Sequence, residues 1–507
     1  MQEKLKLFIP PLLLYIISFL LFSSLISKGP YHGDGLYLAL QSEQTVLTHR
    51  LHYLHSHGYP FTAILGACFV AIFRSLGNED PVLAVNFMSV LAAALSVFFF
   101  YFIVKNLMDS ITAMISSMLL IVSPIFLGNA VYGNSHILFL LLFFITLLFL
   151  IKYQKTGRSA YLYFFVIFAS LSGASRIQDL ITLSPVLIYF FLMPPLPTSP
   201  IPLTKKVFNG IFILFPVTGF IYMFYHTILA EKFPPLAHSQ GSAGLVHFID
   251  YEVFSGIEIN MQMILTYKYI IANFPLLGIL LAVLGFIQIT RENKRKGIFL
   301  LAWFLVPFSA FSLLNFAGPR FFIICLPPLT IAISYALSSR LKSSQLKLKI
   351  LSFFLFIAII FYMTVSFFPI AQFRHQHAAL PEFAAWVGQR TEENASIIAA
   401  DERLFIAHYA NRKILPRPCK YKYTAEDLKA FKAVIDEQLD QSIPVYITDA
   451  SLYSYDPRKE FSGFIKAHYN LESLGGHPYE DWHEGEIVMR LFQIKLYRLT
   501  KKISCCD

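Results

Sequence analysis

Long apolar runs, separated by short polar or basic connections, occupy most of the first 370 residues of this chain. A helix that crosses a bilayer needs about 20 mainly apolar residues. Eleven runs reach that length or come close to it, so the pattern predicts eleven transmembrane helices. They lie at about 7–26, 82–104, 111–128, 134–151, 159–175, 180–195, 207–230, 269–290, 298–317, 321–338 and 350–370.

A twelfth apolar run, 59–76, decides the orientation of the later spans. It opens with Tyr59 and Pro60 and contains Arg74. Membrane proteins concentrate Lys and Arg in cytoplasmic connections, and the basic connections of this chain fall on that side only if 59–76 does not cross. We therefore predict an interface-lying or re-entrant helix for this run. The segments 27–81, 231–268 and 371–507 then face the non-cytoplasmic side.

The segment 371–507 has a different pattern from the rest of the chain. Charged residues return, and short apolar runs such as 395–400 and 444–450 alternate with helical stretches such as 424–439. Thr424 and Asp427 have the spacing of a capping box. The alternation predicts a small soluble α/β domain, in which 486–499 forms an edge strand or a hairpin.

Composition supports this division into a transmembrane domain, 1–370, and a non-cytoplasmic α/β domain, 371–507. The chain is 56% hydrophobic and only 14% charged, which is too apolar for a soluble protein. Its net charge of +10 therefore indicates cytoplasmic membrane connections rather than nucleic-acid binding. The five cysteines form no CxxC pair, so neither a disulfide framework nor a zinc site is predicted.

The stretch "YHGDGLYLAL", residues 31–40, places one acid, Asp34, between two glycines just after the first span. Gly-Asp-Gly is common turn chemistry, and on its own the stretch is better explained as a solvated turn. Its position at a membrane boundary favours a second hypothesis. A carboxylate there could accept the proton of a hydroxyl while a lipid-borne donor approaches from the membrane. His32, His57 and Tyr59, in the same first loop, are candidate substrate-binding residues.

Two arginines are predicted on the same side of the membrane. Arg176, in "GASRIQDL", either pairs with Asp179 at a helix end or serves the site. Arg320, in "NFAGPRFF", is either an interfacial side chain reaching towards headgroups or a ligand for an anion. Guanidinium groups match the geometry of phosphate, so the two arginines together could hold a lipid phosphate.

The remaining candidates are weaker. In "YGNSHIL", Asn134 and His136 could bond a sugar or simply cap the fourth span. Gln178 and Asp179 follow Arg176 and are further substrate-binding candidates. The acidic and histidine residues of the loop 231–268 have irregular spacing, so a solvated loop explains them better than a metal site.

The order of these parts along residues 5–370 resembles the GT-C class of membrane glycosyltransferases, which includes protein O-mannosyltransferases and lipid A aminoarabinose transferases. The resemblance rests on "HGDG", "GYP", "YGNSH", "SRIQD" and "GPRFF". It implies an inverting transfer from a polyprenyl-phosphate monosaccharide, with Asp34 as general base and Arg176 or Arg320 stabilising the departing phosphate.

One departure from the class concerns metals. Many members have a second acid at the start of the fourth span, where this chain has Asn134 to His136. Arginines alone can stabilise a monophosphate leaving group. We therefore predict no required metal, although the resemblance leaves a divalent ion open.

Two other functions remain as alternatives. A transporter or flippase for lipid-linked glycans would show inverted repeats or charges at mid-membrane, whereas the apolar runs here are nearly free of ionisable residues. An O-antigen-ligase type of enzyme would depend more on arginines and a histidine than on a first-loop acid. The sugar stays open, as does the acceptor, which could be a glycan, a glycolipid or a protein. The expected location is the bacterial inner membrane with the C-terminal domain in the periplasm, the endoplasmic reticulum membrane being the alternative.

Overall fold

The structure is a computed structural model of the chain. It describes residues 2–31, 33–52, 59–176, 183–192, 268–312, 318–400, 402–417, 423–453, 456, 458–480 and 491–502. These residues divide into two compact units. The first contains the described residues of 2–26 and 38–373, and the second contains Ser27–Tyr37 together with those from Arg374 onward. The segment Ser27–Tyr37 therefore belongs with the C-terminal residues, whereas the rest of α2 belongs with the first unit.

The first unit is built from helices whose apolar residues form one continuous core. Its largest buried side chains include Trp303, which packs against Phe143 at 5.3 Å and Phe299 at 5.5 Å between ring centroids. The helices are α1 (Gln2–Ser24), α2 (Gly33–Thr48), α3 (Pro60–Ser75), α4 (Pro81–Leu107), α5 (Ser110–Val122), α6 (Pro124–Ala130), α7 (Ser135–Thr156), α8 (Ser159–Ser175), α9 (Ser184–Leu192), α10 (Leu276–Glu292), α11 (Lys294–Ser312), α12 (Leu326–Leu341) and α13 (Leu346–Gln376). A 3-10 helix, Pro319–Cys325, leads directly into α12. The first five residues of α2 and the last three of α13 belong to the second unit.

Several of these helices are long and apolar enough to cross a membrane. Within the described residues there are five: α4, α7, α11, the 3-10 helix with α12, and α13. The chain is thus an integral membrane protein, as predicted. The count of eleven spans is not confirmed, and the predicted span at 207–230 lies outside the described residues.

The apolar run at 111–128 is not one straight span. It forms α5 and α6, which meet at an angle of 64°. Pro124 opens α6 and has no N–H to continue α5. Asn273 provides a hydrogen-bond partner at the break between α5 and α6. Its Oδ1 accepts hydrogen bonds from Ser123 Oγ and Ile125 N, both at 2.9 Å. The span predicted at 111–128 is thus either a broken span or a re-entrant loop.

The ambiguous run at 59–76 forms α3, a helix of 16 residues. At 1.5 Å per residue it is about 24 Å long, shorter than the hydrocarbon core of about 30 Å. Its charged residue is paired, since Arg74 Nη2 lies 2.5 Å from Glu43 Oε1 of α2. An interface-lying or re-entrant α3 stays a prediction that its length favours.

The second unit contains a five-stranded sheet with helices, in agreement with the predicted α/β pattern. Its strands are β1 (Ser396–Ala399), β2 (Lys413–Pro416), β3 (Val445–Thr448), β4 (Tyr469–Glu480) and β5 (Leu491–Lys501), in the order β2-β1-β3-β5-β4. β1 is parallel to β2 and β3, whereas β5 is antiparallel to β3 and β4. Its helices are α14 (Ala379–Arg390), α15 (Arg403–Phe405) with the π-helix Ile406–Ala410, α16 (Ala425–Asp440), α17 (Asp449–Tyr453) and α18 (Glu460–His468).

Two details of the second unit bear on the sequence analysis. Thr424 and Asp427 form the predicted capping box at the start of α16, each side chain accepting from the other's backbone N–H at 3.1 Å. β5 pairs with a strand on each side, so the edge strand predicted for 486–499 is wrong. The hairpin alternative fits, because β4 and β5 are antiparallel neighbours.

Candidate functional site

Arg176 ends α8 in the first unit and is buried, with 4% of its surface exposed. Its Nη1 donates a hydrogen bond to Ser135 Oγ at 2.8 Å, at the first residue of α7. Its Cζ lies 5.2 Å from the centroid of the Tyr59 ring and 5.6 Å from that of Phe321. A guanidinium over an aromatic face is stabilised by the ring's quadrupole. The arginine is therefore held where the ends of three helices meet.

Arg320 lies in the first turn of the 3-10 helix and is also buried. Gly318 precedes the helix and Pro319 begins it, as "GPRFF" suggested. The helix Pro319–Cys325 places this arginine at the start of the candidate span Pro319–Leu341. Burial also disfavours the alternative of an exposed interfacial side chain. Arg320 Cζ lies 5.4 Å from the Phe321 ring centroid.

Phe321 connects the candidate residues of the first unit. Both Arg176 and Arg320 have their Cζ atoms within 5.6 Å of its ring centroid. His136, the second residue of α7, packs edge-on against the same ring at 4.9 Å between centroids. Three residues proposed from distant parts of the sequence thus surround one aromatic side chain. We call Arg176, Arg320, His136, Phe321 and Tyr59 the arginine cluster.

Tyr59 enters the cluster through an unusual backbone. It precedes α3 with φ at 44° and ψ at 59°, in the left-handed region, where a bulky residue is rare and costs of order 1–3 kcal/mol. Its ring is buried next to Arg176. Thr62, one turn into α3, donates from Oγ1 to the carbonyl oxygen of Ser175 at 3.0 Å. These contacts fix the start of α3 against the end of α8.

Asn134 caps α7, which is one of the two roles that the sequence left open. Its Oδ1 accepts from His136 N at 3.0 Å and Ile137 N at 3.1 Å. Its Nδ2 donates to Asn129 O at 2.7 Å and Tyr132 O at 2.9 Å. An amide side chain has two donor hydrogens and two acceptor lone pairs, so its capacity is filled. We assign Asn134 to the cap and no longer propose that it binds sugar.

Gly133, just before the cap, lies very close to α4. A Cβ there would meet Val85 Cγ2 at 2.6 Å. Its N–H donates to Asn86 Oδ1 at 2.6 Å, and the next residue's N–H donates to Ser89 Oγ at 3.1 Å. The close approach lets α4 fix the start of α7, and with it the position of His136 and Ser135.

Asp34 belongs to the second unit, in the first turn of α2. Negative charge at a helix N-terminus is stabilised by the helix dipole. The segment before it contacts the end of α13: Lys28 N donates to Arg374 O at 2.9 Å, and Arg374 Cζ lies 3.4 Å from the centroid of the Tyr31 ring. Asp34 therefore lies at the start of a helix, and the segment that precedes this helix contacts Arg374 at the end of α13.

The other predicted site residues lie outside the described part of the chain. They are His32, His57, Gln178 and Asp179, together with the loop 231–268. The proposed pairing of Arg176 with Asp179 is accordingly left as a prediction.

The described residues do not form a metal site. Among them, no group of three or more His, Cys, Asp or Glu side chains is placed to hold an ion. At the start of α7 the donor set consists of Asn134, whose amide is engaged with the backbone, and His136, whose ring packs on Phe321. No mechanistic step is derived through a metal.

Part of the first unit matches a known protein family. Residues 60–222 fit the sequence model of the family described as dolichyl-phosphate-mannose-protein mannosyltransferase. This stretch includes His136 and Arg176 but neither Asp34 nor Arg320. A search of curated proteins found no match.

Solved structures of glycosyltransferases resemble the chain over nearly its whole length. ArnT from Cupriavidus metallidurans bound to undecaprenyl phosphate matches with a TM-score of 0.59 at 10% identity, covering 96% of this chain and 97% of ArnT. The fold is that of the GT-C class. The Archaeoglobus fulgidus oligosaccharyltransferase, in complex with Zn and sulfate, matches with a TM-score of 0.61 at 14% identity, covering 94% of this chain and 72% of the enzyme. The arabinofuranosyltransferase AftD from Mycobacteria matches with a TM-score of 0.52 at 13% identity, covering 97% of this chain and 40% of AftD.

These matches confirm the predicted resemblance to GT-C membrane glycosyltransferases in fold. The family matched by 60–222 is described as a mannosyltransferase, and two of the three structures are described as an oligosaccharyltransferase and an arabinofuranosyltransferase. At these identities the structural likeness concerns the fold alone.

Sequence reasoning missed Phe321 of the arginine cluster and Arg374, which contacts the segment before Asp34. Phe321 stands in a chain with 51 phenylalanines, so its role had no visible signal. Arg374 did have a signal in the sequence, because it follows the last apolar run on the side predicted to be poor in positive charge. The same anomaly drew attention to Arg176 and Arg320.

Proposed function

We propose that the chain is an inverting glycosyltransferase of the non-cytoplasmic membrane face. It transfers a hexose or pentose from a polyprenyl-phosphate donor to an acceptor hydroxyl. The observation that carries the proposal is the convergence of Arg176 and Arg320 on Phe321, because two buried guanidinium groups at helix ends suit a phosphate leaving group. The family match at 60–222 supports the same donor class.

The proposed reaction is a single displacement. The acceptor hydroxyl gives its proton to the carboxylate of Asp34 as its oxygen attacks the anomeric carbon. The bond between that carbon and the phosphate oxygen breaks, and the electron pair leaves with the lipid phosphate. One attack from the opposite face inverts the anomeric centre. Arg176 and Arg320 stabilise the charge that grows on the phosphate, so catalysis follows from stronger binding of the transition state than of the donor.

Asp34 is proposed as the base on chemical grounds. It is a carboxylate in the first turn of α2, the helix that follows α1, and general-base catalysis by such a group contributes about 10²–10⁴-fold to a rate. The bacterial inner membrane, with the α/β unit in the periplasm, is the proposed location. A glycan, a glycolipid or a protein is the proposed acceptor.

No metal is required in this proposal, because the two guanidinium groups supply the positive charge that a monophosphate leaving group needs. Transfer should therefore continue in EDTA. Loss of transfer in EDTA that returns with Mg²⁺, Mn²⁺ or Zn²⁺ would contradict this part of the proposal.

The test measures the release of polyprenyl phosphate from radiolabelled donors by the detergent-purified chain, supplied with bacterial cell-envelope extract as acceptor. The donors are dolichyl and undecaprenyl phosphates carrying mannose, glucose, galactose or arabinose. We expect one donor to be consumed by the wild type and to be consumed at least 100-fold more slowly by Asp34→Asn. Consumption of none of them would contradict the proposed function and favour a flippase. Normal turnover by Asp34→Asn would show that another group is the base.

A further inference from the structure

The segment that carries Asp34 is fixed by the end of α13. Lys28 N donates to Arg374 O at 2.9 Å, which sets the backbone of the segment. Gly29 lies so close to the start of α14 that a Cβ on it would meet Ala378 Cβ at 2.7 Å. At the rim, Lys28 Nζ lies 3.6 Å from Glu382 Oε1, an exposed pair that contributes little. The contacts of Lys28 N and Gly29 therefore hold the segment before Asp34 even without the exposed Lys28–Glu382 pair.

Arg374 also contacts the segment through the side chain of Tyr31. Arg374 Cζ lies 3.4 Å from the centroid of the Tyr31 ring, a face-to-face separation typical of stacked planar groups. Both side chains are buried, Arg374 with 2% and Tyr31 with 7% of its surface exposed. A desolvated cation and ring interact more strongly than an exposed pair. A lysine would keep the charge but could not stack, because its ammonium is not planar.

This contact lies three residues before Asp34. Three residues of extended chain span at most about 11 Å, so little slack separates the stacked ring from the carboxylate. Tyr31 is followed within two residues by the first turn of α2, in which Asp34 lies. The orientation of this turn therefore depends on where Tyr31 is held.

We propose that Arg374 is a positioning residue for Asp34. It does not touch substrate; through Tyr31 it fixes the first turn of α2 and so the direction of the carboxylate. The inference rests on the proposed role of Asp34 as base. It also gives the second unit a part in the reaction, since Arg374 leads into its first helix, α14.

The decisive experiment compares Arg374→Met and Tyr31→Leu with the wild type, using the donor found by the assay above. We expect each variant to lower kcat by about 10-fold or more while the KM for the donor stays within twofold, because a misplacement of about 1 Å can cost that much. Tyr31→Phe keeps the ring and should retain the wild-type kcat. Arg374→Lys should resemble Arg374→Met.

Arg390→Met is the matched control. Arg390 also lies over an aromatic ring of the second unit, with Cζ 5.0 Å from the centroid of Trp386, but it is exposed and its ring partner lies outside the Asp34 segment. Its kcat should be unchanged. An equal loss of kcat in Arg390→Met would show a general effect on the second unit and overturn the proposal.

Two further measurements separate positioning from plain stability. In an Asp34→Asn background, Arg374→Met should cause no further loss of the residual rate, whereas a structural defect would lower it again. Hydrogen exchange of Arg374→Met should rise at 27–37 and stay at the wild-type level at 425–440. This second readout needs no turnover.

The outcomes also distinguish this proposal from the one on which it rests. If Asp34→Asn turns over normally, the base assignment fails, whatever Arg374 does. If Asp34→Asn is inactive while Arg374→Met and Tyr31→Leu keep the wild-type kcat, or if exchange at 27–37 is unchanged, the positioning role of Arg374 is wrong and the proposed function stands.

Discussion

The arginine cluster and the Asp34 segment are held in different ways. Arg176 and Arg320 lie at helix ends inside the first unit, where a hydroxyl and aromatic rings surround them. Asp34 lies in the second unit, on a helix turn whose approach is held by one buried cation and close backbone contacts. The groups proposed to bind phosphate thus depend on packing between membrane helices, whereas the proposed base depends on residues that follow the last span.

This difference suggests a division of roles that mutations can separate. Changes in the arginine cluster should affect donor binding and leaving-group departure. Changes around Asp34 should affect the rate of transfer with little effect on donor affinity. Changes that disturb only the packing of helices and strands within either unit should lower the free energy of unfolding. They should leave the kinetic constants of the folded protein unaltered.

The largest effect on the first unit is expected from its two arginines. Arg176→Ala and Arg320→Ala should each lower kcat/KM for the donor by about 100-fold, or about 2.7 kcal/mol, because each removes a fixed cation from the leaving phosphate. Arg→Lys at the same positions should recover only part of this loss, since lysine cannot bind phosphate in a bidentate manner. Initial-rate kinetics would measure both. An unchanged kcat/KM in either alanine variant would remove that arginine from the site.

Gly133→Ala should destabilise the first unit by about 1–3 kcal/mol, because the new Cβ would overlap Val85 in the packed contact with α4. Thermal unfolding of the full chain in detergent would detect the change. Gly463→Ala is the matched control in α18 of the second unit, where a Cβ meets nothing within 4 Å. That variant should be neutral or slightly stabilising. Equal stability of the two variants would contradict the close approach of α7 and α4.

Asn134→Ala should cost about 1 kcal/mol of stability through loss of the helix cap, with the KM for the donor unchanged. Asn134→Asp keeps an oxygen acceptor for the cap and should recover part of the loss. A combined measurement of unfolding and KM distinguishes the two roles considered from the sequence. A rise in KM without loss of stability would return Asn134 to the substrate site.

The smallest expected effect is a change with pH in the stability of the second unit. Burial, together with the hydrogen bond that Tyr446 donates to Glu392 at 2.5 Å, raises the pKa of Tyr446 to about 12. A raised pKa contributes stability that is present below the ordinary tyrosine pKa of about 10 and is lost as pH rises towards 12. The stability difference between wild type and Tyr446→Phe should therefore shrink over that interval. A difference that stays constant up to pH 12 would contradict the shift.

At acid pH, a corresponding loss of stability is expected from Glu392. Burial alone would raise the pKa of its carboxyl, but the hydrogen bond from Tyr446 and the charges of Arg498 and Arg412 outweigh burial and lower it. Its contribution is present above the ordinary glutamate pKa of about 4.3 and is lost as pH falls below it. The same pair of variants should therefore converge at low pH as well.

Local features were predictable from the sequence, and long-range ones were not. The capping box of Thr424 and Asp427 depends on residues three apart, so its spacing sufficed. The break between α5 and α6 had a visible signal in Pro124, but the side chain that makes it tolerable, Asn273, is about 150 residues away. Likewise β5 has an edge-like pattern, while its place between β3 and β4 depends on strand order.

The candidate site shows the same limit. Arg176 and Arg320 were recognisable because positive charge on the side predicted to be non-cytoplasmic requires an explanation. Their common neighbour Phe321 was not, because aromatic residues are abundant throughout the spans. The assignment of Ser27–Tyr37 to the second unit follows from contacts with Arg374 and Ala378, more than 340 positions later, which no local pattern records.

The most direct test of the central claim measures undecaprenyl phosphate binding and sugar transfer on the same samples of wild type, Asp34→Asn and the double variant Arg176→Ala with Arg320→Ala. We predict that Asp34→Asn binds the lipid phosphate with wild-type affinity and loses transfer by about 10²–10⁴-fold. The double variant should lose binding as well. Wild-type transfer by Asp34→Asn, or wild-type lipid affinity in the double variant, would contradict the proposed division between base and phosphate ligands.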